Sequence, residues 1–190
     1  MPIYKNGIDQ TRVAVGVYRD IWYAAGAFQP RETDGAEPVT AEYPTNDITL
    51  DHYLFVKATE EGIQAQVVLP DEWDLGVIKA KVYWDSAAGA SAADGVAWGV
   101  RAGAKQDGMP IDAALGIEIL TTDTLIAVGD LHISPPTAEI TVDGALTKGG
   151  MTVVQIVRKV GNAADDMAEA AKLIGVMIQY KEINEEPVVW

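Results

Sequence analysis

The sequence predicts an all-β protein, folded as an antiparallel jelly-roll-like β-sandwich of about eight strands with an extended N-terminal arm. Apolar and polar residues alternate from about residue 52 onward, which is the period of a strand with one buried face. Turn-forming pairs such as Asp94-Gly95 and Gly149-Gly150 separate the alternating stretches. A hydrophobic content of 48% in 190 residues is enough for one well-buried core.

The first 45 residues differ from the rest and predict an arm. Proline removes backbone hydrogen-bond donors, and the mixed charge from residue 31 to residue 42 offers little to bury. The middle of this segment is nevertheless apolar, so we expect part of it to lie along another surface. The predicted organisation is an arm at 1–45, a sandwich at 46–183 and a C-terminal tail at 184–190.

The alternation of apolar and polar residues predicts the position of each strand along the sequence. In the stretch 62–69, Ile63 and Val67 fall on one face and Gln64 on the other. In the stretch 77–84, the lysines lie on the face opposite to Ile78 and Trp84. Further strands are predicted at 96–100, 125–133, 138–142, 151–160 and 174–180, and one short helix is predicted at 163–173.

The charge and composition exclude several functions. Fourteen basic and 28 acidic residues give a net charge of −14, which repels phosphate backbones, so we expect no direct binding of nucleic acid. No apolar run approaches the ~20 residues of a membrane-spanning helix, and no secretory signal is visible. The absence of cysteine removes disulfides, thiolate metal sites and thiol nucleophiles.

The candidate chemical groups favour a structural role over catalysis. His52 and His132 have no second strong metal ligand at a short spacing. No serine lies in the glycine-flanked turn of a serine hydrolase. Solvated charge is the favoured interpretation of two carboxylate clusters, one at Asp71, Glu72 and Asp74 and the other at Asp165, Asp166 and Glu169. We therefore expect no enzyme activity, no cofactor and no metal.

The tryptophans suggest two kinds of role. Trp84 and Trp98 lie on predicted buried faces, which favours core packing. A sugar-binding protein would instead expose at least one of Trp73, Trp84 and Trp98. The candidates for contacts between chains are aromatic residues of the arm and of the C-terminus: Trp22, Tyr23, Phe28 and Trp190.

Several short motifs, in this order and spacing, resemble small virion proteins of tailed bacteriophages. They are the run 53–70, Trp73-Asp74-Leu75-Gly76, Gly95-Val96-Ala97-Trp98, Arg158-Lys159-Val160-Gly161-Asn162 and the last strand 173–180. The resemblance spans about residues 20–182. It implies a jelly-roll domain and carries over no catalytic residue.

The resemblance implies a capsid cement or decoration protein, made in the host cytoplasm, that stabilises the outer surface of the phage head. Its partners would be further copies of itself, in a trimer, and the major capsid protein. The alternative is a tail or fibre component, including a carbohydrate-binding jelly-roll module for host recognition. A carbohydrate-binding module of this kind would bind sugars by stacking exposed aromatic side chains on them.

Overall fold

The computed structural model describes residues 4–5, 8–9 and 16–183 and confirms the predicted all-β sandwich. Two antiparallel sheets pack face to face, and a single-turn 3₁₀ helix at Ala25–Ala27 follows the first long strand. Within the described residues, no helix has the length and apolar composition needed to cross a membrane.

The strands, in chain order, are β1 (Tyr4–Lys5), β2 (Ile8–Asp9), β3 (Gly16–Ala24), β4 (Gln29–Pro30), β5 (Glu37–Tyr43), β6 (Ile48–Phe55), β7 (Gly62–Val68), β8 (Lys79–Ser86), β9 (Gly95–Lys105), β10 (Ile119–Thr124), β11 (His132–Ile133), β12 (Val142–Asp143), β13 (Met151–Arg158) and β14 (Ala171–Ile183).

The front sheet has the order β11-β8-β14-β6-β5, with β3 paired to β14 beside β6. The back sheet has the order β10-β9-β13-β7-β4, with the short β12 paired in parallel to β9. Strands β1 and β2 pair with each other. The long strand β14 is central to the front sheet, because β8 pairs along one edge while β6 and β3 share the other.

The core lies between the inner faces of the two sheets and follows the predicted alternation. Trp84 of the front sheet and Trp98 of the back sheet are both completely buried, which confirms their predicted core role. Phe55 meets the Trp98 ring edge-on, with the ring centroids 5.2 Å apart. Such edge-to-face pairs are favourable for aromatic rings in addition to their burial.

The segment predicted as an arm forms part of the sheets from residue 16 onward. Strand β3 pairs with β14 over nine residues, and β5 pairs with β6 over seven. The alternation in β3 places Ile21 and Tyr23 against the core of their own chain.

Three local sequence predictions are wrong. The predicted strand at 138–142 consists only of an isolated bridge at Ile140 and the first residue of β12. Only His132–Ile133 of the stretch 125–133 is a strand, because Gly129 adopts a φ of 87° and turns the chain. The stretch 163–173 is an irregular loop followed by the start of β14, and not a helix. Side-chain contacts from Arg158, described below, hold this loop.

Candidate functional site

A groove lies on the outer face of the front sheet, on the side away from the core. Its volume is about 920 Å³, which is within the size range of small-molecule sites. The groove is lined by Trp22, Tyr43, Thr45, Asn46, Ile48, Leu50, Tyr83, Asp85, Gly129, Asp130, Leu131, Ile174 and Met177. Most of these side chains are apolar or aromatic, and the few polar ones include Asn46, Asp85 and Asp130.

Two aromatic rings form the floor of the groove. Trp22 of β3 and Tyr83 of β8 meet at a centroid distance of 4.6 Å and an interplanar angle of 75°. The Trp22 side chain remains 46% exposed. Gly175 lies beneath the indole, because a Cβ atom there would be only 2.4 Å from the Cζ2 and Cη2 atoms of Trp22.

The strand register explains why both rings share this face. In β8, Tyr83 lies on the same face as the lysines at 79 and 81, while Val82 and Trp84 face the core. In β3, Trp22 is opposite Met177, and its neighbour Tyr23 is opposite the buried Val176. Because paired residues share a face, β14 brings Trp22 and Tyr83 together on the outer side.

One wall of the groove is the hairpin of β5 and β6. Strand β6 pairs with β14 only through residues 53–55, and β3 takes its place along β14 from residue 175. The register of β14 with β8 also shifts between Leu173 and Gly175. The free part of the hairpin carries Tyr43, Ile48 and Leu50 along the side of the groove.

The opposite wall is the loop from Ile126 to Leu131, which the buried side chain of Asp85 ties to the sheet. One carboxylate oxygen, Oδ1, accepts hydrogen bonds from the backbone N–H of Gly129 at 2.9 Å and of Ser86 at 2.7 Å. The other, Oδ2, is 3.3 Å from the ammonium of Lys172. Asp85 therefore positions the wall, and its oxygens are occupied by donors from the protein itself.

The predicted contact residues lie in different surroundings. Trp22 lines the groove, whereas Tyr23 packs against the core. Burial, followed by the charge of nearby Tyr180, raises the pKa of the Tyr23 hydroxyl. Phe28 is 4% exposed and belongs to the core, so its ring does not offer a surface for another chain. Trp190 lies outside the described residues.

The tryptophans that a sugar-binding protein was expected to expose are all buried. Trp73 is 4% exposed, and Trp84 and Trp98 are 0% exposed, so the expected exposure of at least one of them is wrong, and their burial counts against a sugar site built on any of the three. The exposed aromatic floor is formed by Trp22 with Tyr83 instead. Sequence reasoning missed Tyr83, although an aromatic residue on the lysine-bearing face of an amphipathic strand is a usable signal.

The histidines serve the packing of the sandwich. The His132 ring lies 5.0 Å from the Trp84 ring, and its Nε2 is 3.0 Å from the carbonyl oxygen of Ala127. Burial, reinforced by the charge of Lys172, lowers the pKa of His52. Among the residues that the structure describes, no three His, Cys, Asp or Glu side chains form a group that could hold a metal.

The predicted carboxylate cluster at 165–169 contains a buried ion pair. Arg158 and Asp165 are both fully buried at their side chains and form two hydrogen bonds, at 2.9 and 3.0 Å. The other donors of Arg158 reach the carbonyl oxygens of Phe55, Met167 and Glu169. Asp165 therefore serves the structure, in contrast to the solvated charge expected from the sequence.

Comparison of the sequence gives no match to any protein-family model and no match to a curated protein. Comparison of the fold finds a family 11 carbohydrate-binding module from Clostridium thermocellum complexed with a mixed-linked tetrasaccharide, at 10% identity and a TM-score of 0.44. The match covers 87% of this chain and 96% of that one.

Two enzyme chains also match. One is the xylanase 10B of Clostridium thermocellum, with a CBM22 module, complexed with xylohexaose, at 10% identity and a TM-score of 0.47. The other is a Paenibacillus cycloisomaltooligosaccharide glucanotransferase, at 10% identity and a TM-score of 0.46. The matches cover 87% and 86% of this chain, which spans only 28% and 18% of those longer chains.

These comparisons correct the functional interpretation drawn from the sequence. The structures named above are carbohydrate-binding modules and glycan-acting enzymes, and not phage virion proteins. The prediction of a capsid cement protein is wrong.

Proposed function

We propose that the protein is a carbohydrate-binding module whose ligand stacks in the groove on Trp22 and Tyr83. The observation that carries the proposal is the exposed aromatic floor within a groove of about 920 Å³ that has polar side chains at its rim. The alternation of β3 and β8 places these rings on the solvent side of a sheet whose other face already forms a complete core.

The chemistry of the groove suits a sugar. One face of a pyranose ring presents C–H groups, which pack well on an aromatic ring, while the hydroxyl groups at its edge require hydrogen-bond partners. Asn46, Thr45 and Asp130 line the groove beside the aromatic floor. These exposed groups can exchange hydrogen bonds with the hydroxyls of a sugar, which favours a ligand with many hydroxyls over a purely apolar one.

We further propose that the groove binds its ligand without cleaving it. Hydrolysis of a glycosidic bond generally requires two carboxyl groups that flank the bond, one of them a proton donor. Asp85, the buried carboxylate of the groove, already accepts two backbone hydrogen bonds and faces Lys172. Because its oxygens are already occupied, Asp85 is suited to supporting the groove wall and not to catalysis.

Binding can be tested by titration calorimetry with soluble cello-, xylo- and galacto-oligosaccharides. Replacement of Trp22 by alanine is expected to weaken the binding of the recognised sugar at least tenfold, which corresponds to about 1.4 kcal/mol. Tyr83→Ala should weaken binding as well, because it removes the ring that supports the indole.

The matched control is Ile117→Ala, which removes an apolar side chain that is 82% exposed and lies outside the groove. This variant is expected to bind as tightly as the original protein. Equal affinity of the Trp22→Ala variant and the original protein would place the ligand elsewhere, and a complete lack of glycan binding would refute the proposal.

A further inference from the structure

The outer face of the front sheet continues beyond the groove to a second depression. The strand register places Tyr18 opposite Lys181, six residues along β14 from Gly175. At about 3.3 Å per residue, this distance is roughly 20 Å. The second depression has a volume of about 200 Å³, and its lining includes Tyr18, Asp74, Lys79, Glu139, Gln179 and Lys181.

Strand β3 connects the two depressions and carries an exposed aromatic residue at each. Tyr18 and Trp22 are an even number of residues apart and therefore lie on the same face. Four residues of strand separate them by about 13 Å. The side chains are 56% and 46% exposed, and Tyr18 is not part of the core.

The surface between the two aromatic residues is polar. Asp20 lies on the same face of β3, and its Oδ1 accepts a hydrogen bond of 3.0 Å from Nε2 of Gln179. Lys81 is opposite Met177 in the register, so its side chain also faces outward. The strip therefore presents both donors and acceptors beside the aromatic rings.

The charge of this strip is balanced, in contrast to the −14 of the whole chain. Three basic and three acidic side chains lie on it or around the second depression, namely Lys79, Lys81, Lys181, Asp20, Asp74 and Glu139. The lysines and carboxylates of the strip offset one another, so a ligand with strong negative charge would still face the field of an acidic protein. A neutral ligand avoids this repulsion.

We propose that the ligand is a neutral linear glycan that extends along β3 from Trp22 to Tyr18. This inference rests on the proposed sugar-binding function of the groove and adds a second subsite, a ligand length and a charge class. Once a glycan is bound at Trp22, its far end is held near Tyr18 at a high effective concentration. The affinity therefore rises with the number of sugars in a glycan long enough to reach both residues.

The test compares affinities for disaccharides through hexasaccharides of the neutral series that binds best, measured by calorimetry. Tyr18→Ala is expected to leave the disaccharide affinity unchanged and to weaken hexasaccharide binding about tenfold. Lys79→Ser, at the same subsite, should weaken only the longer ligands. Trp22→Ala should weaken all lengths, and the Ile117→Ala control should weaken none.

The outcomes separate the two proposals. If Tyr18→Ala and Lys79→Ser bind the hexasaccharide like the original protein while Trp22→Ala loses binding, the second subsite is refuted and the groove stands. If an oligosaccharide of uronic acids binds more tightly than its neutral counterpart, the charge class is refuted. If no sugar binds the original protein, the proposed function itself fails.

Discussion

The indole of Trp22 lies over Gly175, at a distance that leaves no room for a side chain. A Cβ atom at Gly175 would be 2.4 Å from Cζ2 and Cη2 of Trp22 and 2.7 Å from the carbonyl oxygen of Tyr23. Glycine at this position thus allows the indole to lie on β14 and meet the Tyr83 ring. The aromatic floor depends on a residue that contributes no side chain to it.

Replacement of Gly175 by alanine is expected to displace the indole and to weaken glycan binding about tenfold. Overpacking should also lower the free energy of unfolding by about 1–3 kcal/mol. Calorimetric titration and chemical denaturation measure the two effects. Gly161→Ala is the control, because the nearest atom to its Cβ would be Glu60 Oε1 at 3.8 Å.

A double-mutant cycle tests whether Gly175 acts through Trp22. If glycine serves to seat the indole, Gly175→Ala should not weaken binding further in a protein that already carries Trp22→Ala. Fully additive losses would show that Gly175 contributes to binding by another route.

Replacement of Asp85 by alanine is expected to loosen the wall of the groove. The change leaves the backbone N–H groups of Gly129 and Ser86 without their acceptor, which should cost about 1–3 kcal/mol of stability. Hydrogen exchange at Gly129 should become faster, and glycan binding should weaken. Asp130→Ala, an exposed change in the same loop, is the control for exchange. Unchanged exchange at Gly129 in the Asp85→Ala variant would show that the wall is held by other contacts.

The two-sheet fold could be predicted from the sequence because strand alternation is a local signal. Residues 62–68 form a strand as predicted, and the predicted burial of Trp84 and Trp98 is confirmed. The position of the groove could not be predicted in this way. It depends on where β6 leaves β14 and β3 replaces it, which is a relationship between distant parts of the chain.

The stretch 163–173 shows how tertiary contacts override a local pattern. Alanines and Met167 at helical spacing predicted a helix. However, the buried guanidinium of Arg158 donates hydrogen bonds to Asp165 and to the carbonyl oxygens of Met167 and Glu169, which holds the segment in an irregular conformation. A single charged side chain in the core thus fixes this loop.

Replacement of Arg158 by methionine is expected to destabilise the protein by about 3–5 kcal/mol, because it leaves the Asp165 carboxylate buried without its main partner. Burial opposes the charged form of Asp165, but hydrogen bonds from Arg158 and Lys57 lower its pKa overall. Chemical denaturation measures the loss. Lys148→Met, at an exposed turn, should change stability by less than about 0.5 kcal/mol. Similar stability of the two variants would contradict a structural role for the ion pair.

The lowered pKa of His52 predicts that stability declines in mild acid. Burial, followed by the charge of Lys172, lowers this pKa from its ordinary value of 6.5. The unfolded chain therefore takes up the proton at a higher pH than the folded protein does. The contribution of neutral His52 to stability is fully present above pH 6.5. It is lost as the pH falls from 6.5 through the pKa of His52 in the folded protein.

Denaturation curves measured at a series of pH values test this prediction. His52→Gln should remove the part of the decline that belongs to His52, because glutamine does not titrate. Lys172→Met should make that decline smaller, since the loss of the neighbouring positive charge raises the folded pKa toward its ordinary value. If the His52→Gln variant keeps the full decline of the original protein, another group causes the acid sensitivity and the burial of His52 has no measurable effect on it.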